Sequence, residues 1–120
     1  MQKFIQNAYK KSMEMRNDIF IARTKLILDT LNKECDSLIA LNKIPKTIRD
    51  LRLIASQDAV FIEWIFSKFR IGLAIEDNPI DDSWCLLSKQ IGQYEYGGQI
   101  DYTKIDKLIC LFLRHIIEYN

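Results

Sequence analysis

Residues 47–72 read TIRDLRLIASQDAVFIEWIFSKFRIG, and the interpretation of this stretch decides the fold predicted for the whole chain. Thr47 is typical of a helix N-cap, and Gly72 stands where a glycine commonly follows a helix C-terminus. Between them the apolar side chains recur at steps of three and four residues, the spacing of one helical face. Those side chains are Ile48, Leu51, Ala55, Ala59, Ile62, Phe66 and Phe69. We therefore predict one long helix at the centre of the fold.

The same spacing continues toward the N-terminus, where no helix breaker occurs over residues 1–44. Apolar faces run through Phe4, Ile5 and Ala8 and again through Ile27 and Leu31, so the pattern predicts helix. Two alternatives remain open: one long helix, kinked near residues 17–18, or two helices, the second capped by Asp18. A turn around Pro45 ends this part, because proline disfavours helical geometry in the preceding residue.

Toward the C-terminus we predict two further helices. The first opens at Asp81 or Asp82, carries an apolar face from Trp84 to Tyr94, and ends at Gly97-Gly98. The last opens at Asp101 or Thr103, and its face is Ile105, Leu108, Phe112 and Ile116. Strand-like alternation is nowhere sustained in this interpretation. The predicted fold is all-α, a single compact helical bundle of four to six helices in one domain over residues 1–120.

The composition is that of a globular intracellular protein. Hydrophobic residues make up 48% and charged residues 28%, which are ordinary values for a folded domain. The cysteines Cys35, Cys85 and Cys110 are widely spaced and odd in number, a pattern that favours a reducing compartment. No apolar run approaches the ~18–20 residues that cross a bilayer, and the N-terminus has no signal-peptide core. We expect a cytoplasmic protein without membrane contact.

Catalytic and metal-binding patterns are missing from the sequence. His115 is the one histidine, so no histidine-rich metal site can form. Phosphate-binding loops, dinucleotide-binding turns and the G-x-S-x-G elbow do not occur. A nucleophilic Cys110 with His115 as its base would need both on one helical face, but five residues separate them by about 140° around the axis. We expect neither an enzyme nor a cofactor.

The charge is divided unevenly along the chain. Residues 1–70 contain 13 basic and 8 acidic residues, whereas residues 71–120 contain 4 and 8. The negative charge is concentrated in Glu76, Asp77, Asp81 and Asp82, which lie within seven residues of one another. Like charges this close repel, and a partner with a basic surface would convert that repulsion into attraction. The simpler interpretation of these residues is a solvated loop with helix caps.

A second candidate binding segment covers residues 93–102, in which tyrosines alternate with acids around Gly97-Gly98. Tyrosine is enriched at protein interfaces because its ring offers a large contact area and a polar tip. The predicted partner-binding residues of the two segments together are Glu76, Asp77, Asp81, Asp82, Trp84, Tyr94, Tyr96, Asp101 and Tyr102. Trp84 is open to two interpretations, as a core residue or as an interface anchor.

A basic patch offers a different function. Lys43, Lys46, Arg49 and Arg52 surround Pro45, and the last three are spaced to share one helical face. Such a patch contacts phosphates in nucleic-acid-binding proteins. Four charges are few, however, and the sequence pI is only 7.7. Nucleic acid is therefore the less favoured partner, and a helical scaffold or dimerisation domain is a further alternative.

Taken as a whole, the chain resembles bacterial immunity proteins, particularly the helical ones paired with contact-dependent growth inhibition or colicin-type toxins. The resemblance is one of profile: a small, non-catalytic chain rich in lysine and isoleucine, with the acidic and aromatic segment from Asp82 to Tyr96. It implies that the chain binds and blocks a cognate toxin, typically a nuclease whose active cleft is basic. Glu76, Asp77 and Asp81 with Asp82 would then supply the electrostatics, and Trp84 and the tyrosines the anchors.

Overall fold

The computed structural model of the protein describes residues 1–14, 18–41, 43, 45–89 and 95–119, and it has an α+β architecture. The described residues form three α-helices and one antiparallel sheet of five strands, so the prediction of an all-α bundle of four to six helices is wrong. The helices are α1 (Lys3–Met13), α2 (Asp18–Ala40) and α3 (Ile105–Tyr119). The strands are β1 (Arg52–Ala55), β2 (Ala59–Ile65), β3 (Phe69–Glu76), β4 (Ser83–Ser88) and β5 (Glu95–Gln99).

The sheet is a meander in which each strand pairs with the next, in the order β1-β2-β3-β4-β5. Two of its turns contain neither glycine nor proline. Around residues 57–58, Ser56 donates its N–H to the Ala59 carbonyl at 2.9 Å and accepts the Ala59 N–H on its hydroxyl at 3.2 Å. Around residues 67–68, the Phe66 N–H donates to the Phe69 carbonyl at 2.9 Å. These turns lacked the residues that sequence reasoning uses to recognise a hairpin.

The long helix predicted over residues 47–72 is replaced by a 3₁₀ turn (Lys46–Asp50), β1, β2 and the start of β3. In the structure the buried side chains of this stretch recur at every second residue, which is the spacing of a strand. Phe69, Ile71, Leu73 and Ile75 point into the core, while the residues between them lie on the opposite face. In β2 the pattern is hidden, because the outward-facing positions also carry large apolar side chains; those positions include Phe61 and Ile65. When both faces of a strand carry apolar residues, some of them also fit the three- and four-residue spacing of a helix. For this reason the sequence pattern predicts a helix where the structure has strands.

The helix predicted from Asp81 or Asp82 to Tyr94 is also wrong. Trp84 and Leu87 belong to β4, and Gly97-Gly98 lies within β5 and does not end a helix. Tyr94 lies outside the described residues. The last predicted helix is confirmed: α3 begins at Ile105 after a short 3₁₀ turn that Asp101 caps, its carboxylate accepting the Thr103 N–H at 3.0 Å.

The N-terminal part is helical, as predicted, and Asp18 is the first residue of α2. Asn17, one of the two residues where a kink or a break was expected, lies outside the described residues, as does Ile44 of the predicted turn at Pro45.

All three helices contribute to one core, which lies against a single face of the sheet. Phe20, Ile27 and Leu31 of α2 and Phe112 of α3 are fully buried among the inward side chains of the strands. Trp64 of β2 is buried with them, and its indole N–H donates to the Ile48 carbonyl at 2.9 Å. The other face of the sheet is left uncovered by the helices. Within the described ranges, none of the helices has the length and apolar character needed to cross a membrane.

Candidate functional site

The acidic segment is organised by a buried carboxylate. Asp82, which sequence reasoning placed at a binding surface, is only 1% exposed. Its Oδ2 lies 2.5 Å from Nη1 of Arg23 on α2 and accepts the Tyr102 hydroxyl at 2.5 Å. Its Oδ1 accepts the Glu76 N–H at 2.7 Å. Each donor comes from a different element, so Asp82 ties the β3–β4 connection to α2 and to the turn before α3.

The backbone of the connection is held by the same residues. Arg23 donates from Nη2 to the Glu76 carbonyl at 2.7 Å, and Asp82 accepts the Ile100 N–H on its own carbonyl at 2.9 Å. Asn78 caps the intervening 3₁₀ turn (Pro79–Asp81) by accepting the Ile80 N–H on its side chain at 3.2 Å. The backbone of the connection is therefore held at Glu76, at Asn78 and at Asp82, although residues 76–81 are all exposed.

Burial shifts the acid–base behaviour of one member of this cluster. The pKa of Tyr102 is raised well above its ordinary value, chiefly by burial and then by the hydrogen bond to Asp82, which holds the hydroxyl as a donor. Tyr102 is therefore a neutral donor over the physiological range. Its ring is half-buried and packs against the core. Like Asp82, Tyr102 stabilises the segment from inside the molecule.

The remaining predicted acids lie at the surface. Glu76, Asp77, Asp81 and Asp101 are exposed, and within the described part of the chain their carboxylates make no ion pair. The pKa of Asp101 is lowered, first by the hydrogen bond from the Thr103 hydroxyl and then by the bond from its N–H. The sheet register adds an acid that sequence reasoning missed. Since Ala59 pairs with Glu76, Asp58 of the β1–β2 turn lies at the same end of the sheet.

These five acids, Asp58, Glu76, Asp77, Asp81 and Asp101, are called the acidic end below. An apolar side chain that sequence reasoning also missed stands among them: Ile80 is 65% exposed on the turn between Asp77 and Asp81. Its exposure follows from the fixed 3₁₀ turn, which directs the carboxylate of Asp82 inward and leaves Ile80 in solvent. A carboxylate cluster around one projecting apolar group is an arrangement suited to binding a basic, partly apolar surface.

The predicted aromatic anchors do not form one surface. Trp84 is half-buried, and its ring meets that of Phe112 edge to face with centroids 5.8 Å apart, so it packs mainly against the core. Tyr96 of β5 is 53% exposed but pairs with Leu86, away from the acidic end. Tyr102 is bound to Asp82, and Tyr94 is outside the described residues.

Basic residues gather at the opposite end of the sheet, called the basic end below. The segment of Lys46, Arg49 and Arg52 leads into β1 there. The turns after β2 and β4 add Lys68 and Lys89, and Arg70 lies at the start of β3. Two of these arginines are engaged with Glu63, Arg52 at 3.6 Å and Arg70 at 4.0 Å. The uneven charge along the sequence thus becomes a separation of charge along the strands.

The uncovered face of the sheet connects the two ends. Exposed apolar side chains cluster on β1 and β2, where Ile54, Phe61 and Ile65 are 38–43% exposed. Beside them lies a shallow cavity of about 150 Å³, whose floor is made of small residues such as Gly72 and Cys85. Among the described residues, no group of three or more histidine, cysteine or acidic side chains is arranged to hold a metal ion.

Comparison with known proteins returned nothing similar: no family model, no curated protein and no solved structure matches this chain.

Proposed function

We propose that this chain is an immunity protein that binds and blocks a cognate toxin through its acidic end. The supporting observation is the anchoring of Asp82 by Arg23 and Tyr102, which holds the β3–β4 connection in one conformation. The exposed carboxylates that precede this anchor in the chain, Glu76, Asp77 and Asp81, are left without an ion pair in the described part of the chain.

Preorganisation is the physical reason why this arrangement favours binding. A flexible acidic loop loses conformational entropy when it docks, whereas a loop that is already anchored avoids most of this cost. The unpaired carboxylates also attract a basic partner over a distance of about one Debye length, which raises the association rate. A toxin with a phosphate-binding cleft carries the basic surface that these charges complement, and occupation of the cleft would block its activity.

Ile80 is the apolar anchor of the proposed interface. Its side chain is exposed on the 3₁₀ turn between Asp77 and Asp81. Binding energy at protein interfaces is concentrated in a few buried side chains ringed by polar contacts. In the revised binding surface, Ile80 and Asp58 join Glu76, Asp77, Asp81 and Asp101, while Asp82 and Tyr102 position them. In this proposal the protein acts in the cytoplasm, without catalysis and without a cofactor.

A nucleic-acid-associated regulator is the competing function, and it would use the basic end. The structure adds Lys68, Arg70 and Lys89 to the predicted patch, which favours this alternative. However, Arg52 and Arg70 already share the carboxylate of Glu63, so part of the positive charge is neutralised.

Affinity capture separates the two functions. The tagged protein is recovered from its native cells at low and high salt, and the co-purifying molecules are identified. A stoichiometric basic protein that is retained at high salt, and whose toxicity this chain neutralises, is the expected result. Nucleic acid that dissociates as salt rises, without such a protein, would contradict the proposal.

Charge reversal then tests the surface. Asp77→Lys with Asp81→Lys should weaken toxin binding at least about tenfold, because attraction becomes repulsion at the interface. The matched control is Asp106→Lys with Glu118→Lys, which changes the net charge equally on the exposed face of α3. Asp82 is unsuitable for this test, since lysine in a buried site would destabilise the fold. Equal binding by the two double variants would refute the acidic end as the interface.

A further inference from the structure

Within the described part of the chain, strand β5 forms one edge of the sheet. All five of its residues, Glu95 to Gln99, are exposed, and among the five described strands its neighbour is β4 alone. An edge strand presents a row of unpaired backbone groups, and proteins commonly protect it with lysine, proline or a bulge. The sequence EYGGQ contains neither lysine nor proline.

The hydrogen bond that follows β5 shows which of its backbone groups point outward. Ile100 donates its N–H to the Asp82 carbonyl, on the β4 side. Because the direction alternates from one residue to the next along an antiparallel strand, Gly98 and Tyr96 also face β4. The N–H and C=O groups of Glu95, Gly97 and Gln99 therefore point away from the sheet.

We propose that β5 pairs antiparallel with β5 of a second copy of this chain, with the two-fold axis at Gly97, so that two five-stranded sheets become one of ten strands. In this register Gly97 exchanges both backbone hydrogen bonds with Gly97 of the second copy. Glu95 does the same with Gln99 of the second copy, and the symmetry repeats that pair. A two-fold interface requires the same patch to be complementary to itself, and this strand meets the requirement.

The side chains of β5 also match in this register. Tyr96 faces Gly98 of the second copy at a non-hydrogen-bonded position, where side chains approach most closely. The Trp84 ring of the same copy lies over Gly98, so the Tyr96 ring of the second copy meets an aromatic side chain there, which is a stabilising cross-strand contact. Glu95 faces an uncharged glutamine, whereas a two-fold axis at Glu95 would place two carboxylates opposite each other.

The charge separation along the strands favours the same arrangement. Antiparallel pairing places the Gln99 end of β5, which leads to Asp101, beside the Glu95 end of the second copy. There the neighbouring strand β4 leads into Lys89, one strand spacing of about 4.8 Å away from β5. The acidic end of each copy thus lies near the basic end of the other, within the range of electrostatic attraction.

Five paired residues make a small interface, so we expect a reversible dimer that forms with rising concentration. Sedimentation velocity of the purified chain in a reducing buffer, from low to high micromolar concentration, measures it. A chain that stays monomeric over this range would overturn the proposal.

Two substitutions at Gln99 test the register, because they should change the affinity of the dimer in opposite directions. Gln99→Glu places a carboxylate opposite Glu95 in both symmetric pairs and should weaken the dimer about three- to tenfold, whereas Gln99→Lys should tighten it by a similar factor. A variant that fails to fold cannot form a tighter dimer. Tighter dimerisation of Gln99→Lys therefore excludes structural damage as the cause of the difference between the two variants. Equal dimerisation by the two variants would show that another surface is used.

A double variant completes the test. Glu95→Lys combined with Gln99→Glu should restore the dimer, because lysine then faces glutamate in each pair. Within one copy these positions are four residues apart, about 13 Å along the strand, so they do not compensate each other there. Failure of the double variant to restore dimerisation would overturn the proposed register, whether or not the chain binds a toxin.

Discussion

Arg23 and Asp82 are separated by 59 residues in the sequence, yet Nη1 of the arginine lies 2.5 Å from Oδ2 of the aspartate. The two side chains are 12% and 0% exposed, so this ion pair is more deeply buried than the other ion pairs of the described residues. It joins the first turns of α2 to the connection between β3 and β4. The conformation of the acidic end depends on this pair.

Removal of Arg23 is expected to destabilise the protein strongly. Arg23→Met leaves the Asp82 carboxylate buried without its counterion, and such a change costs about 3–5 kcal/mol. Urea unfolding at neutral pH measures the loss. Arg70→Met is the control, since its exposed pair with Glu63 at 4.0 Å should be worth no more than about 1 kcal/mol. Similar losses for the two variants would contradict the buried role of Arg23.

Tyr102→Phe should lower the free energy of unfolding by about 1–3 kcal/mol, because the buried carboxylate of Asp82 loses a hydrogen-bond donor. The difference should also depend on pH. The pKa of Tyr102 is raised in the folded state, so above pH ~10 the unfolded chain releases this proton while the folded chain retains it. The stabilisation is thus complete below pH ~10 and declines above it. If the difference in the free energy of unfolding between wild type and variant stays constant from pH 8 to 11, Tyr102 does not titrate in this way.

The same substitution at two adjacent residues of β2 should change the free energy of unfolding by very different amounts. Ile62→Thr places a hydroxyl in the core and should cost about 2–4 kcal/mol. Phe61→Thr changes the uncovered face, where the ring is 42% exposed, and should cost within about 1 kcal/mol. Thermal or urea unfolding of the two variants measures both values. Large losses at both positions would indicate that this face is covered.

The cysteines should react with thiol reagents at different rates. Burial, with the nearby charges of Asp36 and Glu34, raises the pKa of Cys35 to about 12. At pH 8 roughly one Cys35 side chain in ten thousand is then a thiolate, the form that reacts. We expect Cys35 to be labelled only when the chain unfolds, and peptide mapping after a timed pulse of labelling reads this out. Rapid labelling of Cys35 in the folded protein would contradict its burial.

The helices at both ends of the chain are accessible to sequence reasoning, and the sheet between them was not. The face of Ile105, Phe112 and Ile116 repeats over many residues with a cap before it, so local spacing is sufficient to predict α3. In β3 the apolar side chains alternate regularly from Phe69 to Ile75, but Phe69 also continues the three- and four-residue spacing that begins at Ile48, and that spacing favoured a helix. The turns after β1 and β2 carry no glycine or proline that would have separated the strands.

The candidate site was predicted in part. The exposed acids Glu76, Asp77 and Asp81 were identified as candidates from their local density and Asp101 from the tyrosine-containing segment, since charged side chains are costly to bury unpaired. Asp82 has the same local chemistry as Asp81, and nothing near it in the sequence marks it as buried. Only the approach of Arg23 and Tyr102 distinguishes the two. Asp58 was missed because its proximity to Glu76 depends on the strand register.

The sequence by itself determined the helical ends of the chain, the absence of recognised catalytic motifs and the concentration of acidic residues in the second half. The tertiary structure decided that the middle of the chain is a sheet, which acids face solvent, and that the charges separate along the strands. The physical reason is the range of the interactions involved. Helical faces, caps and like-charge clusters arise between residues within about four positions of one another, whereas strand pairing and a buried ion pair join residues that only the folded chain brings together.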